Sequence, residues 1–361
     1  PYRTGTATDT LEHARTFASR IRLPLVYTNL IGGDDSCVYA GGSFMLDMDG
    51  GFVECLPLWE PGVASVDTVS FPWTGEPENT WRALTVGVSD YVRKNGFKGV
   101  LLGLSGGFDS ALTAAIAVDA LGADKVRAVM MPSPYTSRES LEDAEETAKI
   151  LGIRYDVLPI VEPMKAFDEL LKPVFGNLKA DTTEENIQAR LRGVLLMALS
   201  NKFGDLLLNT CNKSEDAVGY ATLYGDSCGG YAPLKDLYKT DGYALAKWRN
   251  ENRPRWIQNN IDRIMPDRII TKAPTAELRP NQKDEDSLPP YPELDAILKM
   301  LIEQDAGVDE VIDAGHDPET VRKVYTLLHR SEYKRIQGAI GIKLSRRSFD
   351  DDWNYPITKK V

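Results

Sequence analysis

A short glycine-containing loop has the composition of a phosphate-binding site. It reads Ser105-Gly106-Gly107-Phe108-Asp109-Ser110 and lies between an apolar run and a helix-like segment. The glycines let the backbone come close to an anion and direct its N–H groups toward it, and a helix that begins here adds the positive end of its dipole. A glycine turn whose Asp and Ser cap the helix is the competing interpretation. The flanking serines and the strand-turn-helix context favour phosphate binding.

Asp109 is the unexpected member of this loop, because a carboxylate beside phosphates would repel them. The repulsion is removed if Mg²⁺ lies between the two, since that ion prefers hard oxygen ligands. The loop lacks both the Gly-Lys-Ser/Thr of a Walker motif and the Gly-x-Gly-x-x-Gly of a dinucleotide fold. It therefore predicts metal-assisted phosphate chemistry of a different class.

More polar residues follow a later predicted strand, Asp205–Thr210. The segment continues with Asn212-Lys-Ser-Glu215, and Asp226 and Lys239 come further along the chain. A second acidic metal ligand is needed opposite Asp109, and Glu215 is placed to supply it. Each carboxylate alone is well explained as a solvated loop residue, but their grouping after one strand favours a site.

Predicted strands and helices alternate after residue 80, which indicates an α/β fold with a parallel sheet covered on both faces. In such sheets ligands bind at the carboxyl ends of the strands, where the polar residues above lie. A capping box, Thr182-Thr-Glu-Glu185, is expected to open the fourth helix. The predicted helices are Trp81–Asn95, Ser110–Leu121, Arg138–Leu151 and 184–202, and the predicted strands are Gly99–Leu104, Val126–Met131, Arg154–Pro159 and Asp205–Thr210.

The first 70 residues follow a different pattern, with one helix at Thr10–Ser19 and short strands separated by glycine pairs. Gly32-Gly33, Gly41-Gly42 and Gly50-Gly51 are predicted as turns. The strands are predicted at Leu25–Asn29, Cys37–Ala40, Ser43–Asp47 and Phe52–Leu56.

Composition excludes several classes of protein. A net charge of −11 argues against a nucleic-acid-binding surface, which needs a basic stripe. No apolar run has membrane-spanning length. The four cysteines suit neither a zinc site nor a disulfide framework, so we expect reduced thiols and a cytoplasmic location.

Taken together, the motifs resemble two related groups of enzymes. The phosphate loop is similar to that of the ATP pyrophosphatases, which cleave ATP between the α and β phosphates. Across nearly the whole chain the sequence resembles the bacterial glutamine-dependent NAD synthetases. The matching pieces are Ser105–Ser110, Glu185-Asn-Ile-Gln-Ala-Arg190 with Arg192, Asn212–Glu215, Tyr224-Gly-Asp226, Pro274-Thr-Ala-Glu-Leu278 with Asp284-Glu285, and His329-Arg-Ser-Glu-Tyr-Lys-Arg335.

This resemblance implies a Rossmann-like adenine-nucleotide α-hydrolase domain that uses ATP and Mg²⁺. ATP would adenylate the carboxylate of deamido-NAD and release pyrophosphate, and ammonia would then displace AMP. The resemblance also implies a homodimer through the synthetase domain, or a larger homo-oligomer.

Roles for individual residues follow from the resemblance, position by position. Asp109 and Glu215 match magnesium ligands, and Asp226, Asp109 and Lys239 match the catalytic groups. Segment 274–290 matches a mobile loop that closes over the site. The ATP contacts implied are Ser105, Gly106, Gly107, Asp109, Ser110, Thr210 and Lys239, and the substrate contacts are Asn186, Arg190, Arg192, Asp226 and Lys334. Arg190 and Arg192 are two apart on a helix and cannot share one face.

Two departures from the family pattern stand out. Cys211 occupies a position where the family usually has Gly, and a positive φ there would cost energy. The segment Ile336-Gln-Gly-Ala-Ile-Gly341 replaces a more usual Arg-Gln-Ala-Pro-Pro-Gly.

The N-terminal part resembles the tail of a nitrilase-like glutaminase, an α/β sandwich. We predict a partial glutaminase domain at 1–70, a linker at 71–80 and the synthetase domain at 81–361. In that family the Glu, Lys and Cys that hydrolyse glutamine precede the matching stretch, and Cys37 and Cys55 are interpreted as packing residues. We therefore expect this chain alone to use free ammonia, although the complete protein would take ammonia from glutamine.

Two alternatives remain open on sequence alone. Another ATP pyrophosphatase-class ligase, such as GMP synthetase or a tRNA-modifying enzyme, would share the phosphate loop. A non-catalytic nucleotide-binding subunit is the alternative from a different class, and it would be expected to carry a broken loop.

Overall fold

A four-stranded parallel sheet organises the larger part of the chain, in the order β8-β7-β6-β9. The strands are β6 (Val100–Gly103), β7 (Val126–Met130), β8 (Arg154–Val157) and β9 (Leu206–Leu207). The computed structural model describes residues 1–63, 75–280, 282–350 and 352–358. The predicted α/β fold with a parallel sheet is confirmed.

The strand β9 is shorter than predicted. Only Leu206 and Leu207 pair with β6, because the chain beyond them turns to a new partner. Leu208 makes an isolated parallel bridge with Tyr231 instead. The polar residues after Leu208 therefore lie beyond the carboxyl end of the sheet.

Helices cover both faces of this sheet, and its central strands β6 and β7 are buried on both. Val100 and Leu102 of β6 pack into one core with α2, α3 and α4. Leu101, which points the opposite way, packs with Leu196 of α6 in a second core. The covering helices are α2 (Glu78–Lys94), α3 (Phe108–Leu121), α4 (Arg138–Leu151), α5 (Val161–Phe175) and α6 (Thr182–Phe203).

The capping box of α6 is present but lies one residue earlier than predicted. Asp181, rather than Thr182, is the N-cap, and its carboxylate accepts the Thr183 N–H at 2.7 Å. Glu184, rather than Glu185, returns a bond to the N-cap backbone at 2.8 Å. Asp and Thr are both good N-caps, so the sequence alone did not decide whether Asp181 or Thr182 caps the helix.

Shorter helices complete the C-terminal part. They are α7 (Lys213–Val218), α8 (Lys239–Glu251), α9 (Asp267–Thr271), α10 (Tyr291–Glu303), α11 (Val308–Asp313), α12 (Pro318–Arg330) and α13 (Glu332–Arg335). An apolar core of their own joins α7, α10, α11 and α12, whereas Leu245 of α8 and Ile269 of α9 pack into the core of the parallel sheet. Among the described residues, none of the helices is long and apolar enough to cross a bilayer.

The N-terminal residues form one helix and two small antiparallel sheets, β1-β4-β5 and β2-β3. The elements are α1 (Thr6–Ile21), β1 (Leu25–Tyr27), β2 (Ile31–Asp34), β3 (Cys37–Ala40), β4 (Phe44–Leu46) and β5 (Phe52–Cys55). The prediction that Gly32-Gly33 forms a turn is wrong, since both lie within β2. A Cβ on Gly33 would lie 3.3 Å from the Gly87 Cα, so these glycines let the strand approach α2 closely.

This N-terminal part is joined to the rest by polar bonds and a shared core. The Gly33 N–H donates to Asp90 Oδ2 of α2 at 2.8 Å. Trp59 packs in the same core as Trp81 of α2. The predicted linker, 71–80, falls partly outside the described residues, and α2 already begins at Glu78. The boundaries at 70 and 81 stay a prediction.

Candidate functional site

A cavity of about 280 Å³ opens at the carboxyl ends of β6, β7 and β9. Its position follows the rule for open α/β sheets. Ten of the predicted site residues line it, namely Ser105, Gly106, Gly107, Asp109, Ser110, Arg192, Thr210, Glu215, Asp226 and Lys239. The fold thus brings these residues, from distant parts of the sequence, to one cavity.

The phosphate loop is held in shape by its own serines. The Ser105 and Ser110 hydroxyls lie 3.1 Å apart, and Gly107 N–H donates to Ser105 Oγ at 3.2 Å. Ser110 Oγ in turn donates to the Gly107 carbonyl at 3.0 Å. The loop leads directly into α3, whose N-cap is Gly107 in extended conformation. The positive end of this helix therefore faces the cavity.

Gly106 is the position where only glycine fits. Its φ is +80°, and a Cβ there would lie 2.0 Å from the Ser140 carbonyl oxygen. Ser140 lies in the first turn of α4, so the loop is pressed against the start of that helix. The close contact holds the backbone of the loop in place without a side chain.

Asp109 and Glu215 meet at the ammonium of Lys239. Lys239 Nζ lies 2.5 Å from Asp109 Oδ2 and 3.1 Å from Glu215 Oε1. Asn212 donates its amide to Asp109 Oδ1 at 2.9 Å and accepts the Glu215 N–H as the N-cap of α7 at 3.0 Å. Residues from three segments of the chain are thus tied together at one end of the cavity.

The electrostatics of this group keep the lysine charged. Burial raises the pKa of Glu215, against the opposing effect of Lys239. Burial acts to lower the pKa of Lys239, but Asp109 and Glu215 outweigh it, and the net direction is upward. Lys239 therefore stays positively charged between the side chains of Asp109 and Glu215.

The same residues fit a magnesium ion. A cationic group already bridges Asp109 and Glu215, and their carboxylates are hard oxygen donors. Among the described residues no group of three or more His, Cys, Asp or Glu is arranged to hold a metal alone. Mg²⁺ commonly binds through one or two carboxylates, with substrate phosphates and waters completing its shell. The donor set matches that pattern.

Asp226 faces the cavity from the loop after β9. Its Oδ1 accepts the Thr222 N–H at 2.7 Å. The side chain is open to the cavity, yet partial desolvation by the surrounding protein raises its pKa. Lys334 is held nearby by the carbonyls of Gly219 and Ala221, each 2.8 Å from its ammonium. A carboxylate with a raised pKa in a cleft is suited to proton transfer.

The predicted substrate contacts are placed differently from one another. Arg192 Nε donates to the Met131 carbonyl at 3.1 Å beside the cavity, and burial lowers its pKa to about 10. Arg190 instead bonds to the Leu223 carbonyl at 3.2 Å, and Asn186 accepts the Thr222 hydroxyl at 2.9 Å. Asn186, Arg190 and Lys334 are not among the described residues that line the cavity. Arg190 and Arg192 do point to different surroundings, as their spacing requires.

Lys272 to Leu278 line the cavity. Within this segment Glu277 makes contacts that the sequence did not predict. Its carboxylate accepts the Ser137 N–H at 3.2 Å and the Ser140 hydroxyl at 2.9 Å. The sequence placed Glu277 in a loop expected to cover the site, but no local pattern identified its partners at the start of α4.

Cys211 causes no backbone strain. It is absent from the positive-φ positions among the described residues, so its replacement of Gly carries no left-handed penalty. It is buried, and burial raises the pKa of its thiol well above the ordinary value. The thiol is a packing group at the wall of the cavity.

Comparison with known proteins gives a consistent result. The family model described as NAD synthase matches residues 80–338. Glutamine-dependent NAD(+) synthetase from Rhodobacter capsulatus is 48% identical over 372 residues, covering 100% of this chain and 67% of that protein.

Two solved structures agree with this. The glutamine-dependent NAD+ synthetase from Acinetobacter baumannii in complex with adenosine diphosphate is 43% identical with a TM-score of 0.71, and the match covers 99% of this chain and 66% of that one. The NH3-dependent NAD synthetase from Campylobacter jejuni, in complex with the nitrate ion, is 27% identical with a TM-score of 0.56, covering 71% and 95%. This chain spans 67% and 66% of the glutamine-dependent proteins named here. The chain belongs to the NAD synthase family.

Proposed function

We propose that this chain catalyses the ATP-dependent amidation of deamido-NAD to NAD, with release of AMP and pyrophosphate. The observation that carries the proposal is that the phosphate loop, the Asp109–Lys239–Glu215 group and Asp226 line the same cavity. The first two suit adenylation of a carboxylate, and the third suits attack by an amine. Family membership favours this reaction over that of GMP synthetase.

In the first step the deamido-NAD carboxylate attacks the α-phosphorus of ATP and pyrophosphate leaves. Backbone N–H groups of the loop and the N-terminus of α3 orient the phosphates. Lys239 offers a buried positive charge to the developing negative charge on the leaving group. Asp109 and Glu215 would hold Mg²⁺, which supplies neutralisation of phosphate charge when bound.

In the second step ammonia attacks the activated carbonyl and AMP leaves. The nitrogen must lose a proton as the amide forms, and we assign its acceptance to Asp226, a carboxylate that lines the cavity. The Thr222 N–H holds the Asp226 carboxylate in position through its Oδ1.

We expect Asp226→Asn to slow the second step more than the first. The Asn side chain keeps the size of Asp but cannot take a proton, a role worth about 10²- to 10⁴-fold in rate. Rapid-quench analysis should show near-normal pyrophosphate release and an accumulating adenylate. An equal loss in both steps would mean that Asp226 serves the fold or the metal instead.

For the nitrogen source we propose free ammonia when this chain acts alone. Hydrolysis of glutamine through a covalent intermediate needs an activated thiolate. Burial raises the pKa of the thiols of Cys55 and Cys211, and raises that of Cys228 to about 11. Cys37 lies in β3, where it pairs with Asp34 of β2. The glutamine dependence of the relatives would then belong to the complete protein.

The non-catalytic alternative is disfavoured by the intact loop. A subunit that only bound a nucleotide would not need Asp109, Glu215 and Asp226 around one cavity. All four cysteines are free, which is consistent with a reducing compartment, and we propose a cytoplasmic location on that basis.

We also propose a homodimer through the synthetase domain. None of the described side chains of α5 is buried, although that helix is rich in apolar residues. Leu170 and Val174 of α5 are 70% and 77% exposed, Leu178 just beyond the helix is 81% exposed, and Val194 of the adjacent α6 is 66% exposed. A second copy would cover such a surface. Sedimentation should give twice the chain mass for the wild type and a monomer for Leu170→Asp/Val174→Asp.

A further inference from the structure

A buried aspartate outside the cavity joins the two helices that carry Glu215 and Lys239. Asp295 lies on α10 and is 2% exposed. Its Oδ1 accepts the Ser214 hydroxyl of α7 at 2.5 Å. Its Oδ2 accepts both the N–H of Thr240 on α8, at 2.9 Å, and the Thr240 hydroxyl, at 2.7 Å. Three donors from two separate helices therefore converge on one side chain.

The network reaches the backbone of the lysine itself. The Lys239 N–H donates to Ser214 Oγ at 2.9 Å. Ser214 immediately precedes Glu215, and Thr240 immediately follows Lys239, so the neighbours of both charged residues are fixed to Asp295. The hydroxyl of Ser214 thus links α7, α8 and α10 at one point.

Asp295 also completes the start of α8. The N-cap of that helix, Tyr238, makes no side-chain cap bond within the described part of the chain. The first N–H groups of a helix need acceptors from elsewhere, and a carboxylate near them is favourable. Asp295 supplies this from another helix, directly to Thr240 and through Ser214 to Lys239. The helix therefore begins at Lys239 with its direction set by α10.

This arrangement controls the geometry of the charged group in the cavity. Lys239 Nζ lies 3.1 Å from Glu215 Oε1, a distance that depends on how α7 and α8 are placed, and 2.5 Å from Asp109 Oδ2 of α3. Asp295, Ser214 and Thr240 are not among the described residues that line the cavity. Any effect of Asp295 on the reaction must therefore pass through the residues it holds.

We propose that Asp295 is a positioning residue, which sets the separation of Glu215 and Lys239 and so the rate of adenylation. The inference rests on the proposed function. Asparagine at this position turns one acceptor into a donor, so one of the three converging donors loses its acceptor. The starts of α7 and α8 are then free to shift relative to each other, and a misplacement of about 1 Å costs about 100-fold in rate.

The test compares Asp295→Asn with a matched control, Asp241→Asn. Asp241 lies in the same first turn of α8 and also bonds to α10, but it is half-exposed and pairs with Lys299 at 2.9 Å rather than with Ser214 or Thr240. Pyrophosphate release measures the first step, and discharge of pre-formed adenylate by ammonium measures the second. We expect Asp295→Asn to slow the first step about 100-fold and to leave the second unchanged, with Asp241→Asn like wild type.

Two substitutions of Thr240 test the same network if Asp295→Asn fails to fold. Thr240→Ser keeps the hydroxyl and should retain the rate of the first step, whereas Thr240→Val should slow that step alone. If Asp295→Asn does not fold, this pair decides the question. Equal slowing of both steps, or no difference between Asp295→Asn and Asp241→Asn, would overturn the positioning role. A wild-type chain that forms no adenylate at all would instead refute the proposed function.

Discussion

Replacing Asp109 with Asn is expected to stop the release of pyrophosphate. Asp109 is the carboxylate within the phosphate loop, and it lies 2.5 Å from Lys239. The Asn side chain can still accept the Asn212 amide bond, so the loop should keep its shape. What is lost is a negatively charged ligand for Mg²⁺ and a partner for the lysine. A loss of about 4 kcal/mol of metal-assisted stabilisation corresponds to about a thousandfold in rate.

The measurement is a pyrophosphate assay in the presence of ATP, Mg²⁺ and deamido-NAD. Asp124→Asn is a suitable control, because Asp124 is exposed just beyond the other end of α3. It should behave like wild type. Near wild-type release from Asp109→Asn would remove this residue from the metal site.

The second large effect is expected for Gly106→Ala. An added Cβ would lie 2.0 Å from the Ser140 carbonyl oxygen, so either the loop or the start of α4 must move. A displacement of about 1 Å in the phosphate loop is expected to lower activity about 100-fold. The variant should also lose ATP affinity, because the N–H groups of the loop are turned away from the phosphates.

Gly96→Ala separates the clash from the cost of backbone conformation. Gly96 has a φ of +73°, close to the +80° of Gly106, but no heavy atom of the described residues lies within 4 Å of its added Cβ. Both variants are therefore destabilised by about 1–2 kcal/mol because alanine disfavours the left-handed conformation. Only the Cβ of Gly106→Ala also clashes with Ser140. If the two variants had equal stability and equal activity, the close contact with Ser140 would have no functional meaning.

The sequence predicted well what is encoded locally. The loop between β6 and α3 was predictable because glycines, serines and a strand-helix junction fall within a few adjacent positions. Likewise, β7 and α4 were predicted to within a residue, because β7 is a short strand buried along its whole length and α4 is bounded by the N-cap Ser137 and by Gly152. The cavity at the strand ends then followed from the topology of parallel sheets.

The sequence did not predict the side-chain contacts between residues that are far apart in the chain. Lys239 was expected near phosphates, but its bonds to Asp109 and Glu215 join residues far apart in sequence. Asp295 has no local pattern at all, since its three donors come from α7 and α8. Gly33 was misread because a glycine pair resembles a turn, whereas here it permits a strand to pack closely on α2.

The proposed reaction is tested most directly by following the products of the purified wild-type chain. The protein is incubated with ATP, Mg²⁺ and deamido-NAD, and with either ammonium chloride or glutamine labelled with ¹⁵N in its amide group. We predict that ammonium gives NAD, AMP and pyrophosphate in equal amounts, and that glutamine gives no labelled NAD. Release of ADP and inorganic phosphate, or no NAD with ammonium present, would contradict the proposed reaction.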